Sequence, residues 1–263
     1  MLASLPMYDI HPTAVQAWWA PLAQRLQAAG IDAPDSLTWP ESIHPHWHNP
    51  ALLLSQACGF PLVTELAGLV QVLGTFSYGV PGAQGHLCRS QLVARAADQD
   101  KTLADFRGRV LAYNSTDSQS GYNSLRALVA PLAVNGDFFS ASQASGGHRQ
   151  SVDLVRQGLA DLASVDCVTW AGLQKYSPET CEGLVVVGQT EAYPGLPLIT
   201  SLQTPAATVA VMRQVLTQAV QDPALRALRQ ALFIEDFVAL EPAHYQVCLA
   251  MREQAQALGC TSL

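Results

Sequence analysis

Two stretches, VLAYNSTDSQSG at residues 110–121 and FFSASQASGGHRQS at residues 138–151, decide how this chain folds. Each begins with a strand-like apolar run, at residues 110–113 and 138–141, and continues through a loop rich in hydroxyl groups and glycine. Each then leads into a stretch with the apolar spacing of a helix, at residues 122–132 and 152–159. Successive strand–helix units predict an α/β fold in which both loops open at the same edge of a parallel sheet.

The two loops have two interpretations. Serine, asparagine and aspartate are the residues that ordinarily cap the start of a helix, so each loop can be an N-cap and nothing more. A helix start also offers unpaired backbone N–H groups and the positive end of the helix dipole, which together suit an anion. Serine hydroxyls and glycines, which let a ligand approach the backbone, favour the second interpretation when two such loops share one edge.

Strand-like and helix-like runs alternate along most of the chain, which supports the α/β prediction. Further strands are predicted at residues 2–7, 37–39, 51–54, 70–76, 87–96, 162–165, 184–188 and 197–200. Further helices are predicted at residues 13–30, with Thr13 as the cap, and at 205–221, 223–233 and 243–258. The spacing predicts one lobe from residues 91–196 and a second, discontinuous lobe from residues 1–90 and 197–263, with crossovers near 87–96 and 185–199.

The composition excludes several classes of function. Charged residues make up 13% of the chain, the formal net charge is −7, and only two lysines are present, so there is no basic face for a nucleic acid. No apolar run approaches the roughly 20 residues of a membrane span. The six cysteines show no paired spacing and are expected as free thiols. We predict no cofactor, no metal ligand and no catalytic residue.

The N-terminal segment bears on location. Residues 1–9 carry neither a basic region nor a long apolar run, so the sequence as it stands predicts no secretory signal. A cytoplasmic location follows from that observation, or a periplasmic one if a leader has been removed.

Six motifs recur in the order of a known family. They are LPMYD at 5–9, LLLSQACG at 52–59, Arg89-Ser90, the Asn114 to Gly121 loop, GGHRQS at 146–151 and ASVD at 163–166. Together they resemble the phosphate/phosphonate-type substrate-binding proteins of ABC importers. The resemblance implies a type 2 periplasmic-binding-protein fold: two α/β lobes, each with a mixed, mostly parallel sheet flanked by helices, two crossover strands, and a small anion held between the lobes. It also implies an ABC permease as partner.

The resemblance implies a set of ligand-binding residues. The two helix starts would grip phosphonate or phosphate oxygens, and Asp166 would pair with a ligand ammonium group. Tyr78 and Ser90 would line the cleft. From the discontinuous lobe, Tyr8 and the pair Ser55-Gln56, each of which follows a predicted strand, would face the same cleft. The full set is Tyr8, Ser55, Gln56, Tyr78, Ser90, Asn114, Ser118, Ser120, Gly121, His148, Ser151 and Asp166.

Several of these residues have an ordinary structural alternative. His148 can be an exposed polar residue, Asp166 can cap the next helix, and the tyrosines can cover a core. Arg89 can bind the ligand or pair with a carboxylate such as Asp117. The segment 44–48, HPHWH, places three histidines on one side if it is extended, which would suit Zn²⁺, Ni²⁺ or Cu²⁺, but no carboxylate or cysteine completes a shell within it.

Three functions remain open on these residues. The first is a solute-binding protein that closes on a phosphonate-like anion or zwitterion. The second is an enzyme of the same fold, similar to the chorismate dehydratase family, with Asp166 or His148 as acid–base groups. The third is a ligand sensor. The oligomeric state and the identity of the ligand are not determined by the sequence.

Overall fold

The computed structural model describes residues 1–263, which divide into two compact units. The first unit comprises Met1–Gly79, Gln84–Leu87 and Pro194–Tyr245. The second unit comprises Val80–Ala83, Cys88–Tyr193 and Gln246–Leu263. The structure therefore groups residues 246–263 with the second unit, whereas the spacing of the sequence placed them in the first lobe. The reason is that the C-terminal helix packs against a helix of the second unit.

The chain forms short strands and helices throughout. The strands are β1 (Leu2–Ala3), β2 (Leu52–Gln56), β3 (Val70–Tyr78), β4 (Ala83–Gln84), β5 (Leu87–Cys88), β6 (Ser90–Arg95), β7 (Val110–Tyr113), β8 (Ala141–Ala144), β9 (Leu162–Asp166), β10 (Leu184–Gln189), β11 (Tyr193–Pro194), β12 (Leu198–Ser201) and β13 (Ile234–Val238). The α-helices are α1 (Pro12–Ala28), α2 (Ile43–Trp47), α3 (Gly59–Val63), α4 (Ser124–Val129), α5 (His148–Arg156), α6 (Cys167–Tyr176), α7 (Ala206–Gln221), α8 (Arg226–Ala231) and α9 (Gln246–Ala257).

The second unit is built on a five-stranded mixed sheet with the order β10-β6-β9-β7-β8. β7 runs parallel to β8 and to β9, while β6 runs antiparallel to β9 and to β10. β9 is buried along its whole length, as expected of a central strand covered on both faces. Because β8, β7 and β9 are parallel neighbours, the loops that follow them leave from one edge of the sheet.

Helices and apolar side chains enclose this sheet. α5 packs on β9, β7 and β6, and α4 packs on α9. The core includes Leu92, Phe106, Leu111, Leu125 and Leu162, all of which are at most 1% exposed. The core fixes the sheet edge on which the loops after β7 and β8 stand.

The first unit has its own mixed sheet, in the order β1-β2-β12-β3-β13. Only β1 and β2 are parallel; β12 and β13 pair with their neighbours in antiparallel fashion. α1 packs against α7 and buries Trp18 and Trp19 completely. A third, small sheet, in the order β11-β5-β4, is formed by segments in which the chain passes from one unit to the other.

The structure corrects several predicted boundaries. The strand predicted at residues 138–141 lies at Ala141–Ala144, because Phe138 and Phe139 turn into the core instead of pairing with β7. The strand predicted at 87–96 is interrupted at Arg89, whose backbone N–H donates to the Gly82 carbonyl at 2.8 Å. Two separate strands result, β5 and β6.

Other predicted strands and helices are wrong where the local sequence pattern favours one structure and strand pairing in the folded protein favours another. No strand forms at residues 37–39, and β1 ends at Ala3. The helix predicted from Thr13 starts at Pro12, with His11 as its N-cap. The helix predicted at 223–233 is a 3₁₀ turn followed by the short α8, and β13, which was not predicted, follows because it completes the edge of the first unit's sheet.

Candidate functional site

The carboxyl ends of β8, β7 and β9 collect polar side chains at one edge of the second unit's sheet. Tyr113 at the end of β7 stands in register with Ala144 at the end of β8, so both hydroxyl-rich loops leave side by side. Asp166 ends β9, the neighbour of β7 on its other side. The prediction that the two loops open at the same edge is confirmed. Ligands of α/β proteins bind at this kind of edge.

The first loop starts its helix with a capping serine and a widened turn. The Ser118 hydroxyl accepts a hydrogen bond from the backbone N–H of Gly121 at 3.0 Å. Gln119–Asn123 forms a π-helical turn in which the Asn123 N–H reaches the Ser118 carbonyl, and α4 continues from it. π-Helical turns of this kind are frequent at functional sites. The cap interpretation of this loop is thus correct, and the cap itself lies at the candidate site.

Two neighbouring side chains occupy the space that a side chain at Gly121 would need. A Cβ atom at this position would lie 1.9 Å from Asn114 Oδ1 and 3.2 Å from His148 Cε1. Asn114 Oδ1 is buried without a hydrogen-bond partner. The glycine therefore lets two side chains approach the start of the other helix: Asn114, which follows β7, and His148, the first residue of α5.

The second loop leaves the start of α5 without a side-chain cap. Its N-cap is Gly147, which has no side chain to satisfy the first N–H groups of the helix. Ser151 is fully buried, and its hydroxyl lies 2.7 Å from the hydroxyl of Ser145. The Ser145 hydroxyl in turn donates to the Gly147 carbonyl at 2.9 Å. Ser151 thus braces the loop that presents the N–H groups.

One contact joins the two helix starts: His148 Nε2 lies 2.9 Å from Ser120 Oγ. Burial lowers the pKa of His148 to about 4, against a small opposing effect of the Ser164 backbone, so the imidazole is neutral at physiological pH. Its Nδ1 atom is buried without a hydrogen-bond partner. In the tautomer that carries the proton on Nε2, His148 donates to Ser120 and leaves the serine proton available to a ligand.

The Ser120 carbonyl is surrounded by hydroxyl groups. It accepts hydrogen bonds from Ser90 at 2.8 Å, Ser124 at 3.2 Å and Ser164 at 2.6 Å. The Ser90 hydroxyl is also 2.7 Å from the Tyr193 hydroxyl, and Ser90 is fully buried. The structure therefore places the Ser90 side chain behind the helix start, and its place in the lining of a ligand cleft stays a prediction.

Sequence reasoning did not identify Ser124, Ser164 and Tyr193. A signal was present for Ser164, which is a hydroxyl residue inside the apolar strand 162–165 and two residues before Asp166, hence on the same face of β9. Ser124 was within the predicted helix, where a serine usually faces solvent. No local pattern identifies Tyr193, which meets Ser90 through tertiary packing alone.

Asp166 caps the next helix. Its Oδ1 atom accepts the backbone N–H groups of Val168 at 2.8 Å and Thr169 at 3.1 Å, and the residue is 4% exposed. The structural alternative for Asp166 is therefore realised at the start of α6. A role toward a ligand ammonium group stays a prediction.

The residues predicted from the first unit form a separate group. Tyr8 and Tyr78 meet edge to face with ring centroids 5.4 Å apart, and Gln56 Nε2 donates to the Tyr78 hydroxyl at 3.4 Å. Ser55 is fully buried, with its hydroxyl 3.2 Å from His46 Nε2. The structure brings Tyr8, Gln56 and Tyr78 together within the first unit; their part in binding stays a prediction.

The three histidines of segment 44–48 are not on an extended segment. Ile43–Trp47 is a helix, held in place by Trp47, whose Nε1 donates to the Gln56 carbonyl. His44 Nδ1 and His48 Nε2 contact the Glu65 carboxylate at 2.7 and 2.9 Å, while His46 is buried. The structure contains no group of three or more histidine, cysteine, aspartate and glutamate side chains that is arranged to hold a metal ion.

The two arginines beside the loops are engaged elsewhere. Arg89 Nη1 donates to the Thr190 carbonyl at 2.9 Å and lies 3.8 Å from the Glu191 carboxylate, so the carboxylate that pairs with Arg89 is Glu191, where Asp117 was the example predicted. Arg149 reaches the Ser177 hydroxyl at 3.1 Å. What the helix starts offer an anion is therefore neutral: backbone N–H groups and serine hydroxyls, with the neutral His148 imidazole in contact with Ser120. None of the helices combines the length and the hydropathy needed to span a membrane.

Solved structures with the same fold share little sequence with this chain. The binding-protein component of an ABC phosphonate transporter from Pseudomonas aeruginosa, PA3383, has a TM-score of 0.77 at 13% identity, over 98% of this chain and 87% of that one. PhnD1 from Prochlorococcus marinus, in complex with methylphosphonate, has a TM-score of 0.76 at 12% identity, over 97% and 98%. XAC2383 from Xanthomonas citri, bound to ATP, has a TM-score of 0.70 at 16% identity, over 98% and 97%.

These likenesses confirm the predicted fold class, the α/β fold of type 2 periplasmic-binding proteins. No curated protein sequence matches the chain. The sequence model of one family, described as ABC transporter, phosphonate, periplasmic substrate-binding protein, matches residues 53–245. That span covers both hydroxyl-rich loops and most of both units. The chain therefore belongs to the phosphonate periplasmic substrate-binding proteins of ABC transporters, a family whose members bind small molecules for transport and are not enzymes.

Proposed function

We propose that this chain binds a small phosphonate or phosphate anion at the carboxyl edge of the second unit's sheet. The observation that carries the proposal is the 2.9 Å contact between Ser120 Oγ and His148 Nε2, which joins the starts of two helices. Two helix starts that lie in contact can both offer an anion their unpaired N–H groups and the positive ends of their dipoles. Methylphosphonate, the ligand of the P. marinus structure, is an anion of matching chemistry.

The donors that we assign to the ligand are neutral. Ser118 and Ser120 are 5% and 7% exposed, so a bound anion would be largely desolvated, which strengthens each hydrogen bond. His148 stays neutral because burial lowers its pKa to about 4. Ser151 would act indirectly, because its hydrogen bond with Ser145 stabilises the loop before α5. Asn114 would also act indirectly, because its side chain packs against Gly121.

We further propose that the chain delivers this anion to the permease of an ABC importer and acts in the periplasm. Membership of a periplasmic binding-protein family supports both statements. The ligand-side roles of Tyr8, Ser55, Gln56, Tyr78 and Asp166 remain part of the same proposal.

Titration calorimetry with methylphosphonate, inorganic phosphate and sulfate tests the binding site. We expect methylphosphonate or phosphate to bind, and Ser120→Ala to weaken that binding by about 1–3 kcal/mol, the cost of leaving a buried partner unsatisfied. Ser140→Ala is the matched control, because its hydroxyl donates to the Arg109 carbonyl at the opposite end of β8. Equal affinity of Ser120→Ala and the wild-type protein for the anion would exclude this site.

A further inference from the structure

Three serine hydroxyls from three different elements converge on a single backbone carbonyl. Ser90 of β6, Ser124 of α4 and Ser164 of β9 donate to the Ser120 oxygen at 2.8, 3.2 and 2.6 Å. A carbonyl oxygen has two lone pairs, and a single donor is enough to satisfy it in a protein interior. Three buried donors are more than the Ser120 carbonyl oxygen needs to be hydrogen-bonded.

These serines are too deeply buried to be ligand-binding residues themselves. Ser90 and Ser164 are 0% exposed, and Ser124 is 2% exposed. Any effect on a ligand must therefore pass through the peptide group that joins Ser120 to Gly121. The N–H of that peptide donates to Ser118 Oγ at 3.0 Å, and Ser118 is the N-cap at the candidate site.

The hydrogen bonds that link Tyr193, Ser90, the Ser120–Gly121 peptide and Ser118 all run in one direction, each group donating to the next. Ser90 donates to a carbonyl, so its own oxygen accepts from the Tyr193 hydroxyl, 2.7 Å away. Burial raises the pKa of Tyr193 well above its ordinary value, which keeps that hydroxyl protonated. At the other end, Ser118 Oγ accepts from Gly121 and lies 3.5 Å from Ser120 Oγ, so the Ser118 hydroxyl keeps its own proton for donation to a ligand that enters beside Ser120.

We propose that Ser90, Ser124 and Ser164 are positioning residues that polarise the Ser120–Gly121 peptide and so make the Ser118 hydroxyl a stronger donor to a bound anion. Hydrogen bonds in series strengthen one another, and the effect is largest where water is excluded. The polarised peptide would strengthen the binding of an anion in a site that has no cationic side chain among its assigned donors. This inference rests on the proposed function, because it takes an oxyanion as the ligand of Ser118.

Two readouts on Ser164→Ala and Ser90→Ala test the proposal. The first is the amide ¹H and ¹⁵N resonance of Gly121 in the ligand-free protein, which we expect to move upfield when a donor to the preceding carbonyl is removed. The second is the affinity for methylphosphonate and phosphate, which we expect to fall about 2- to 10-fold for each serine. Tyr193→Phe removes the outermost donor without opening a cavity, and we expect it to shift Gly121 in the same direction by less.

Ser142→Ala is the control, because the Ser142 hydroxyl donates to the Leu263 carbonyl and has no link to Ser120. It should change neither the Gly121 resonance nor the affinity. The proposal is overturned if the serine variants leave Gly121 unmoved, whether or not affinity falls, since a loss without the shift indicates a merely structural role. If wild-type protein binds neither anion, the proposed function fails, while a shifted Gly121 resonance still supports the polarised peptide.

Discussion

At the scale of single residues, His148 couples the site to pH. Its pKa is lowered from 6.5 to about 4 because the folded protein buries the imidazole. Between those two values the unfolded chain binds more protons than the folded one, so stability rises with pH across that window and is lost as pH falls through it. The full difference corresponds to roughly 3 kcal/mol.

We therefore expect the free energy of unfolding of the wild-type protein to decrease from pH 6.5 toward pH 4 more steeply than that of His148→Gln. Urea unfolding at a series of pH values measures this. His46, whose pKa is also lowered by burial, contributes to both proteins, so the difference between the two curves isolates His148. Parallel curves would contradict the burial of a neutral His148.

Substitution of Gly121 is expected to reduce ligand affinity much more than folding stability. In Gly121→Ala the new methyl group would displace Asn114 Oδ1, which lies 1.9 Å from its position. The Asn114 amide is the end of a movable side chain, so we expect a folded protein with a melting temperature within a few degrees of the wild type. Because Asn114 and His148 are then moved from the helix start, we expect at least a tenfold loss of affinity for methylphosphonate. Unchanged affinity would show that neither side chain has to hold its place for binding.

At the scale of elements, β3 and β13 approach each other at a glycine. Gly74 has φ of +152°, and a Cβ atom there would lie 2.3 Å from the Val238 carbonyl oxygen and 2.7 Å from the Phe237 ring. The obstacle is partly backbone, so β13 itself would have to move. We expect Gly74→Ala to lower the free energy of unfolding by about 1–3 kcal/mol.

Urea unfolding followed by tryptophan fluorescence checks this expectation. Gly188→Ala in β10 is the control, since the nearest atom to its Cβ position, Leu92 Cδ1, is 3.4 Å away. A Gly74→Ala protein as stable as the control would show that β13 can move away from the new methyl group without lowering the free energy of unfolding.

At the scale of the whole molecule, net charge and ligand charge have the same sign. The formal net charge is −7, and the arginines beside the loops pair with other groups, so a phosphonate approaches against a repulsive field. Salt screens this repulsion, because the Debye length falls from about 30 Å at 0.01 M to about 8 Å at 0.15 M.

We therefore expect the association rate for methylphosphonate to rise modestly between about 0.01 M and 0.15 M ionic strength. Stopped-flow fluorescence measures the rate, and two salts with different anions distinguish screening from competition at the site. A rate that falls in both salts would reveal a cationic side chain at the binding site, contrary to the neutral donors that we assign.

Much of the fold was predictable because it depends on local pattern. The apolar runs that became β7 and β9 and the polar loops after β7 and β8 were recognised, since a strand and a helix start each have a short-range signature. The failures have a different origin. β8 lies three residues later than predicted, and β13 was missed, because pairing with a neighbouring strand decided both.

The candidate site divides in the same way. Ser118, Ser120, Gly121 and His148 were identified from the two loops, because hydroxyl groups and glycines before a helix are visible in the sequence. The inward placement of Ser90 was not visible, and neither was the part of Ser124 and Ser164, which meet one carbonyl from separate elements.

The sequence by itself determined the α/β class, the two hydroxyl-rich helix starts at one sheet edge and the absence of lysine from the loops, since each follows from residues adjacent in the chain. Only the tertiary structure decided which hydroxyls are buried around the Ser120 carbonyl, that His148 is neutral, and that Asp166 caps α6. Burial and hydrogen-bond direction set those properties, and both depend on residues far apart in sequence.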